Sequence, residues 1–352
     1  MGHAETTNPN APVSMITKWD KTFAESDKVD HRKVSFRTRY GITLVGDLYI
    51  PKDRGDRRLA AIAVSGPFGA VKEQSSGLYA QTLAEQGFVT LAFDPSYTGE
   101  SGGQPRNVAS PDINTEDFSA AVDFLGLQKE VDRRRIGILG ICGWGGMALN
   151  AASMDTRVKA VATSVMYDMS RAMGHGVGEG KDRYTTADRR AVLQYLNEQR
   201  WKDAESGTTA HGGHDLYVDD KGNVTTSERI LPETLPANPN PILKEFFDYY
   251  RMPRGFHARS VNSTGAWTAT TPLSFMNMPL LSYANEITIP TLIVTGEKAH
   301  SRYFAEDAYK AVGSKQKTLV IVPGANHVDL YDNAAGKIPF ARFEAFFQNS
   351  LK

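Results

Sequence analysis

Hydrophobic and polar positions alternate strictly near the start of the chain. Val34, Phe36 and Thr38 alternate with polar or charged neighbours, and the same period of two resumes after the turn at 40–41 and ends at Pro51. Alternation of this kind is typical of a strand with one buried face. The segment therefore predicts a half-exposed antiparallel pair of strands.

Farther along the chain, short runs that are apolar on both faces alternate with helical patterns, for example at 77–86 and 115–131. Runs of this kind suit parallel strands that are buried between two layers of helices. The alternation predicts an α/β fold with a doubly wound, mostly parallel sheet. The six runs read LAAIAVSG, FVTLAFD, RIGILGI, VKAVATSV, TLIVTG and TLVIVPG.

One long segment interrupts this alternation. About 120 residues separate the fourth buried run from the fifth, and they contain no similar run. Within them, 194–201 has a helical pattern and 216–225 predicts a hairpin. An insertion of this length is rarely a bare loop, so we expect a cap over one edge of the sheet. The predicted organisation is a loosely held N-terminal arm at 1–28, a core at 29–165 and 287–352, and a cap at 166–286.

Composition narrows the classes of function. Among 352 residues, 40 are Lys or Arg and 40 are Asp or Glu, which gives a net charge of zero. Nucleic acids and anionic membranes both need a basic surface, so neither is an expected partner. A small-molecule substrate is expected, and the balanced charge leaves formation of a homo-oligomer open. The chain has no apolar run that could serve as a signal-peptide core or a membrane span, so a cytoplasmic location is expected.

The single cysteine is the first candidate for chemistry. Cys142 follows the third buried run in the sequence GICGWGG, and a helical pattern comes next. A strand, a glycine-rich turn with a nucleophile and a helix form a nucleophile elbow, here with cysteine in place of serine. The N–H groups of Gly143 and Phe68 are the predicted oxyanion-hole donors, because Pro67 has no N–H. The alternative is that Cys142 is merely a small buried hydrophobic residue.

A thiol nucleophile needs a base. His327 follows the last buried run, where the loop reaches the same edge of the sheet as the elbow. His300 is a weaker candidate because it precedes a helical stretch. His211 and His214 have a spacing that could bind a metal, but no third ligand is evident, so a polar cap loop is the better interpretation. No metal and no cofactor are predicted.

A third group is expected to orient the histidine. Glu297 follows the fifth buried run, and Asp168 follows the fourth. Each of these carboxylates stands at a strand end from which it could reach the imidazole. For each, the alternative is a local helix cap or a salt bridge, and the sequence does not choose between them.

With these residues in place, the chain resembles the α/β-hydrolases, and among them the cysteine-nucleophile dienelactone hydrolase group and related bacterial hydrolases. The resemblance implies that Cys142 is the nucleophile, His327 the general base, and Phe68 and Gly143 the oxyanion donors. It implies hydrolysis of a small carboxylic ester or lactone through an acyl thioester. An acyltransferase with the same groups and a non-catalytic binding protein are the alternatives. The segments that carry the resemblance are SGPFGAVKEQ, LAFDPSYTGESGG, GICGWGG, TGEKAHS and PGANHVDLYD.

The chain departs from the family pattern at three positions. Trp144 occupies the place of the last elbow glycine, and Trp144 and Tyr97 are predicted to line the substrate pocket. Ala299 stands where the family has its acid, which keeps both candidate carboxylates open. Gly66 stands where dienelactone hydrolases have a glutamate, so dienelactone itself is not an expected substrate.

Overall fold

The computed structural model describes residue 13 and residues 15–352. Among them, the strands are β1 (Val29–Arg37), β2 (Thr43–Pro51), β3 (Leu59–Ser65), β4 (Val89–Phe93), β5 (Val131–Ile141), β6 (Val158–Ser164), β7 (His211–Gly212), β8 (Tyr217–Val218), β9 (Val224–Thr225), β10 (Trp267–Thr268), β11 (Thr291–Gly296) and β12 (Lys317–Val322). The α-helices are α1 (Ser75–Glu85), α2 (Pro111–Gly126), α3 (Gly143–Met154), α4 (Met169–His175), α5 (Thr186–Ser206), α6 (Pro241–Tyr250), α7 (Val261–Thr264), α8 (Pro272–Met276), α9 (Arg302–Ala311) and α10 (Phe340–Ser350).

Within the described residues, eight strands form one central sheet in the order β1-β2-β4-β3-β5-β6-β11-β12. The pairs β1–β2 and β2–β4 are antiparallel, and the remaining pairs are parallel. The segment with alternating hydrophobic and polar positions forms β1 and β2. The six runs that are apolar on both faces form the other six strands of the sheet. The predicted α/β fold with a doubly wound, mostly parallel sheet is confirmed.

Two glycines in β5 let helices approach the sheet closely. Gly137 and Gly140 differ by an odd number of residues, so they lie on opposite faces of the strand. A Cβ on Gly137 would lie 2.9 Å from the Phe347 ring of α10, and a Cβ on Gly140 would collide with the backbone of Trp144 in α3. The central strand is therefore covered by a helix on each face, as its continuous apolar sequence requires.

The inserted segment is folded, as its length predicts. The hairpin at 216–225 is confirmed by the antiparallel pairing of β8 with β9. The helical pattern at 194–201 lies inside α5, which begins earlier because Thr185 and Asp188 form a capping box. A second short pair joins β7 to β10.

The N-terminal arm contacts the core at individual residues of the part that the structure describes. Lys21 Nζ lies 2.7 Å from the buried carboxylate of Asp47, and the Thr22 N–H donates to the Glu73 carbonyl at 2.9 Å. Lys21 and Thr22 of the predicted arm are thus paired with buried groups of the core. Residues 1–12 and 14 lie outside the described residues. No helix in the described chain combines the length and apolarity needed to cross a bilayer.

A buried ion cluster follows β3. Lys72 Nζ lies 2.7 Å from carboxylate oxygens of Glu73, Asp94 and Glu100, and the Lys72 side chain is completely buried. Burial acts to lower the pKa of Lys72, but the surrounding carboxylates raise it well above its ordinary value. The three carboxylates are close enough together to hold a metal ion. The ammonium group of Lys72 stands among them and supplies the cation.

Replacing this lysine should destabilise the fold strongly. Lys72→Met leaves buried carboxylates without their central cation, and we expect a loss of about 3–5 kcal/mol in the free energy of unfolding. Urea denaturation followed by circular dichroism measures this loss. The matched change Lys310→Met, at a side chain that is 77% exposed, should alter stability by less than about 0.5 kcal/mol. Equal effects of the two changes would contradict the role of the cluster.

Candidate active site

Cys142 occupies a strained turn between β5 and α3. Its φ is 55° and its ψ is −125°, a region that non-glycine residues rarely adopt. Backbone hydrogen bonds hold the turn: the Cys142 N–H donates to the Ser164 carbonyl at 2.9 Å, and the Cys142 carbonyl accepts from Tyr167 N–H at 2.8 Å. These bonds run to β6 and the segment after it, so the sheet itself imposes the conformation. The turn has the geometry of a nucleophile elbow.

The structure explains why tryptophan can stand in this elbow. The Trp144 side chain is 1% exposed, and its ring packs against Phe93 and Phe118 at centroid distances of 5.9 and 5.4 Å. Gly66 has a φ of 105°, and a Cβ there would lie 2.2 Å from the Ile141 carbonyl oxygen and 2.9 Å from the Trp144 Cβ. The elbow backbone therefore leaves room only for glycine at 66.

The two residues predicted to line the substrate pocket do not line the cavity at Cys142 formed by the described residues. Trp144 points into the core between β4 and α2. Tyr97 belongs to the loop after β4, where its N–H donates to the Gly102 carbonyl and its ring covers Gly103. The sequence placed both near the carboxyl ends of the strands, but backbone direction turns both side chains away from the cavity.

Three polar groups face the sulfur of Cys142. The backbone N–H groups of Gly143 and Phe68 and the hydroxyl of Tyr331 stabilise its thiolate form. Both predicted oxyanion donors thus lie at the sulfur. Burial raises the pKa of the Cys142 thiol to about 11, although the three donors act in the opposite direction. The thiol is therefore protonated at neutral pH and needs a base.

His327 lies close to this thiol but does not bond to it directly. Its Nε2 is 2.8 Å from the Tyr331 hydroxyl, whose oxygen can accept a hydrogen bond from the Cys142 thiol. His327 and Tyr331 are four residues apart, on either side of the 3-10 turn Val328–Leu330. Burial, and secondly the neighbouring His300, lower the pKa of His327 well below its ordinary value. The imidazole is therefore neutral at pH 7 and can accept a proton.

The other ring nitrogen of His327 bonds to a serine, not to a carboxylate. His327 Nδ1 lies 2.6 Å from the Ser301 hydroxyl, and Ser301 is completely buried just before α9. This arrangement suits the tautomer in which Nδ1–H donates to Ser301 and Nε2 accepts from Tyr331. Ser301 ends the sequence TGEKAHS, in the loop where the family carries its acid, but a hydroxyl gives no sequence signal for that role.

The expectation that Glu297 or Asp168 orients the histidine is not met by the geometry. Glu297 is exposed, and its Oε2 accepts the Gly324 N–H at 2.7 Å. Asp168 caps α4, where it accepts the Arg171 N–H at 3.1 Å and the Ser170 hydroxyl. Among the described residues, neither carboxylate is a hydrogen-bond partner of His327. The local cap considered for Asp168 is the role that the structure shows, whereas Glu297 bonds to the turn at Gly324 and has no salt bridge among the described residues.

The other three candidate histidines have no hydrogen bond to Cys142 or His327 among the described residues. The His300 Nε2 bonds to the Tyr167 hydroxyl, and its Nδ1 is 4.0 Å from Glu245 Oε2. Burial lowers the pKa of His300 to about 4 and raises that of Glu245 to about 7. His211 Nε2 is 3.3 Å from a backbone carbonyl, and the His214 ring lies 5.6 Å from the Phe68 ring. Neither of the last two belongs to a potential metal-binding group within the described chain.

Residues of the cap bond to the loop after β3 that carries Phe68 and Gly69, here called the oxyanion loop. Asn262 donates from Nδ2 to the Phe68 carbonyl at 2.7 Å and from its backbone N–H to the Gly69 carbonyl at 3.0 Å. The Ser260 hydroxyl also donates to the Gly69 carbonyl, at 2.8 Å. Gly69 has a φ of 84°, and a Cβ there would collide with the Asn262 side chain. The cap segment at α7 therefore holds the loop that presents the Phe68 N–H to the sulfur.

A cavity of about 1540 Å³ opens at Cys142, between the sheet edge and the cap. Aromatic residues of the cap line it, among them Phe246 and Tyr250, and the Phe246 ring lies 5.4 Å from the His327 ring. Trp267 packs instead on the Phe68 ring at 4.5 Å, and Trp201 is 72% exposed on α5. Cys142, Phe68 and Tyr331 thus line one cavity, and His327 contacts its wall at Tyr331 and Phe246.

Comparison with known proteins agrees with this architecture. A protein-family profile described as "PETase: PET hydrolase-like" matches residues 7–177. Protein PA2218 of Pseudomonas aeruginosa is 59% identical over 99% of this chain and 88% of its own, and its crystal structure superposes with a TM-score of 0.88 over 97% and 100% of the two chains. YcjY of Escherichia coli is 35% identical over 87% and 94% of the two chains.

Two further matches are more distant. The thiohydrolase aneE of Aspergillus aculeatus is 34% identical over 39% of this chain and 42% of its own. The α/β hydrolase GrgF from Penicillium sp. sh18 is 19% identical, covers 92% and 99% of the two chains, and has a TM-score of 0.69, which reflects a shared fold. The chain belongs to the α/β-hydrolase superfamily. Within it, the chain belongs to the same family as PA2218 and YcjY. These matches support ester hydrolysis or acyl transfer as the general class of chemistry.

The reactivity of the thiol tests the site directly, because the chain has one cysteine. Alkylation of Cys142 by iodoacetamide should be slow at neutral pH and should accelerate up to strongly alkaline pH, since burial raises the thiol pKa to about 11. Tyr331→Phe removes a donor to the thiolate and should slow alkylation further. Intact-protein mass spectrometry follows the reaction. The control Tyr283→Phe, at a side chain that is 61% exposed, should behave as the parent protein does. A rate that levels off near neutral pH would contradict this account.

Proposed function

We propose that this chain hydrolyses a carboxylic ester, lactone or thioester of a small molecule through an acyl thioester on Cys142. The observation that carries the proposal is the sulfur itself: it stands on a strained elbow, receives the N–H groups of Phe68 and Gly143, and faces a large cavity. Such a cluster serves acyl chemistry, because the donors can stabilise negative charge on a carbonyl oxygen. The proposal includes a thioester because a distant relative is named a thiohydrolase.

The first step forms the carbon–sulfur bond. The Cys142 thiol passes its proton to the Tyr331 oxygen while the Tyr331 hydroxyl passes its own proton to Nε2 of His327. The sulfur electron pair attacks the carbonyl carbon, and the carbonyl π pair moves to the oxygen. The N–H groups of Phe68 and Gly143 then bond to this oxyanion. Tyr331 begins and ends the step neutral, so it acts as a proton relay between the two groups.

The next steps release both products. The oxyanion re-forms the carbonyl and expels the alcohol or thiol, which takes the proton back from His327 through Tyr331. A water molecule then attacks the thioester carbon, and His327 accepts the water proton. Collapse of this second tetrahedral intermediate breaks the carbon–sulfur bond, releases the acid and returns the proton to Cys142.

Burial decides when the first proton moves. The pKa of the thiol is raised to about 11, and the pKa of His327 is lowered well below 6.5. A stable thiolate–imidazolium pair is therefore unfavourable in the free protein. The proton transfer has to accompany attack on the substrate, when the charge passes from sulfur to an oxygen that has two N–H donors.

Acyl transfer to an alcohol or amine is the second candidate, and the enclosure of the site favours it. Cys142 is 7% exposed and His327 is completely buried. Exclusion of water protects an acyl thioester until another acceptor attacks it. Product analysis with and without an added primary alcohol separates the two reactions, since transfer yields a new ester and hydrolysis yields the free acid.

The test of the nucleophile compares parent protein and Cys142→Ala on p-nitrophenyl esters. We expect the substitution to abolish turnover, because no other thiol can form the acyl intermediate. Rapid acid quench and mass spectrometry should find the acyl group on the peptide that contains residue 142. His327→Ala should lower the acylation rate by at least about a hundredfold, since general-base assistance is lost. Equal turnover by parent and Cys142→Ala would falsify the mechanism and favour a non-catalytic binding protein.

The serine partner of the base predicts an unusual pH profile. His327 must be neutral to act, and its pKa lies well below 6.5, so kcat/KM should stay level as the pH falls below 6.5 and decline only in more acidic solution. Ser301→Asp places a carboxylate at Nδ1, which favours the imidazolium and raises the histidine pKa. The acidic decline should then move to higher pH by about one to three units.

Two further variants make this pH test specific. Ser301→Ala should keep the acidic decline of the parent protein. Ser206→Asp introduces the same charge at an exposed position and should leave the profile unchanged. An unmoved acidic limb in Ser301→Asp, in a protein with a normal circular dichroism spectrum, would show that His327 is not the base.

A further inference from the structure

The cavity at Cys142 is larger than a small ester requires. Its volume of about 1540 Å³ exceeds the roughly 300–1,000 Å³ of typical pockets for drug-sized ligands. Cys142, Phe68 and Tyr331 occupy one part of its wall. The rest of the wall is available to the remainder of a substrate, and most of it comes from the cap.

Apolar cap side chains line this space and are only half-buried. On α6, Ile242 and Phe246 are four residues apart and so share one face of the helix. Both line the cavity and keep part of their apolar surface uncovered, as do Ile230 and Leu235 in the segment before the helix. Apolar surface of this kind gains free energy when an apolar ligand covers it.

The charged side chains at the cavity wall favour neither an anionic nor a cationic ligand. Four basic side chains and five acidic ones line it, so the charges nearly cancel. The acidic group nearest His300 is Glu245, and burial raises its pKa to about 7. A strongly charged substrate would find no opposite excess here. The basic residues are Arg183, Arg229, Lys298 and Arg302, and the acidic ones are Glu179, Asp215, Glu228, Glu245 and Glu306.

We propose that the cavity binds a bulky apolar acyl group, a long alkyl chain or a fused ring system, and that the substrate is an ester or thioester of such an acid. This inference rests on the proposed function. The acyl group, rather than the alcohol, fills the cavity because it stays bound to Cys142 through both steps, whereas the leaving group departs after the first. Apolar walls and a closed cap suit the part of the substrate that must remain.

A chain-length series tests the substrate class. p-Nitrophenyl esters from acetate to palmitate should show a rising kcat/KM, by up to about fourfold for each methylene that the cavity buries. A second series, acetate esters of alcohols of increasing length, should show no comparable rise. A kcat/KM that is highest for acetate, or that rises only in the alcohol series, would overturn the proposal.

Filling the cavity should reverse this preference. Ala172 on α4 is 6% exposed and lines the cavity, and Ala172→Phe places a ring there. The ratio of kcat/KM for decanoate to that for acetate should fall at least tenfold. Leu235→Trp is a second variant, in a cap segment without regular structure, that should shift the ratio in the same direction. Ala204→Phe, the same enlargement at an exposed position of α5, should leave the ratio unchanged.

A binding measurement separates this proposal from the catalytic one. Cys142→Ala protein, titrated with dansyl-labelled undecanoic acid, should enhance and blue-shift the dansyl fluorescence, and Ala172→Phe in the same background should weaken binding at least tenfold. Binding without turnover of any ester by the parent protein would overturn the proposed function but retain the apolar site. Turnover of acetate with neither binding nor a chain-length effect would overturn the apolar site alone.

Discussion

The site depends on a backbone conformation that the sheet forces on one residue. Cys142 has a positive φ because its own peptide groups are hydrogen-bonded to the Ser164 carbonyl and the Tyr167 N–H on the neighbouring segment. A strained residue persists only where the surroundings over-determine it. Here the turn aims the sulfur away from the sheet, next to the first N–H group of α3. Gly66 and Gly140 make the turn possible, since a Cβ at either position would strike the elbow backbone.

Burial then sets the protonation of the site. A buried thiol stays protonated and a buried imidazole stays neutral, because each resists charge in a low-dielectric environment. Tyr331 joins them, and Ser301 holds the far side of the ring without a negative charge that would stabilise an imidazolium. The resting protein is thus a neutral chain of donors and acceptors. In the proposed mechanism, charge appears in this chain only when a substrate oxygen can take it up.

The inserted cap is part of the site and does more than cover it. Asn262 and Ser260 bond to the carbonyls of the oxyanion loop, so the position of the Phe68 N–H depends on a segment almost two hundred residues away in sequence. The same insertion supplies the apolar wall of the cavity. In the proposed function, one folded element would therefore couple substrate shape to oxyanion stabilisation. Displacement of the cap would loosen both at once.

The sequence alone determined the fold class and the elbow. Three local patterns carried these predictions: the alternation of hydrophobic and polar positions, the runs that are apolar on both faces, and the cysteine between glycines. Local backbone geometry follows from such patterns. The sequence alone could not identify the residues around His327. Hydroxyl groups such as those of Tyr331 and Ser301 occur everywhere in a sequence, whereas carboxylates at strand ends, such as Glu297 and Asp168, look catalytic because charge is conspicuous. Only the tertiary structure decided which side chains meet, because that depends on the direction in which each loop turns after its strand and on where the cap returns to the sheet.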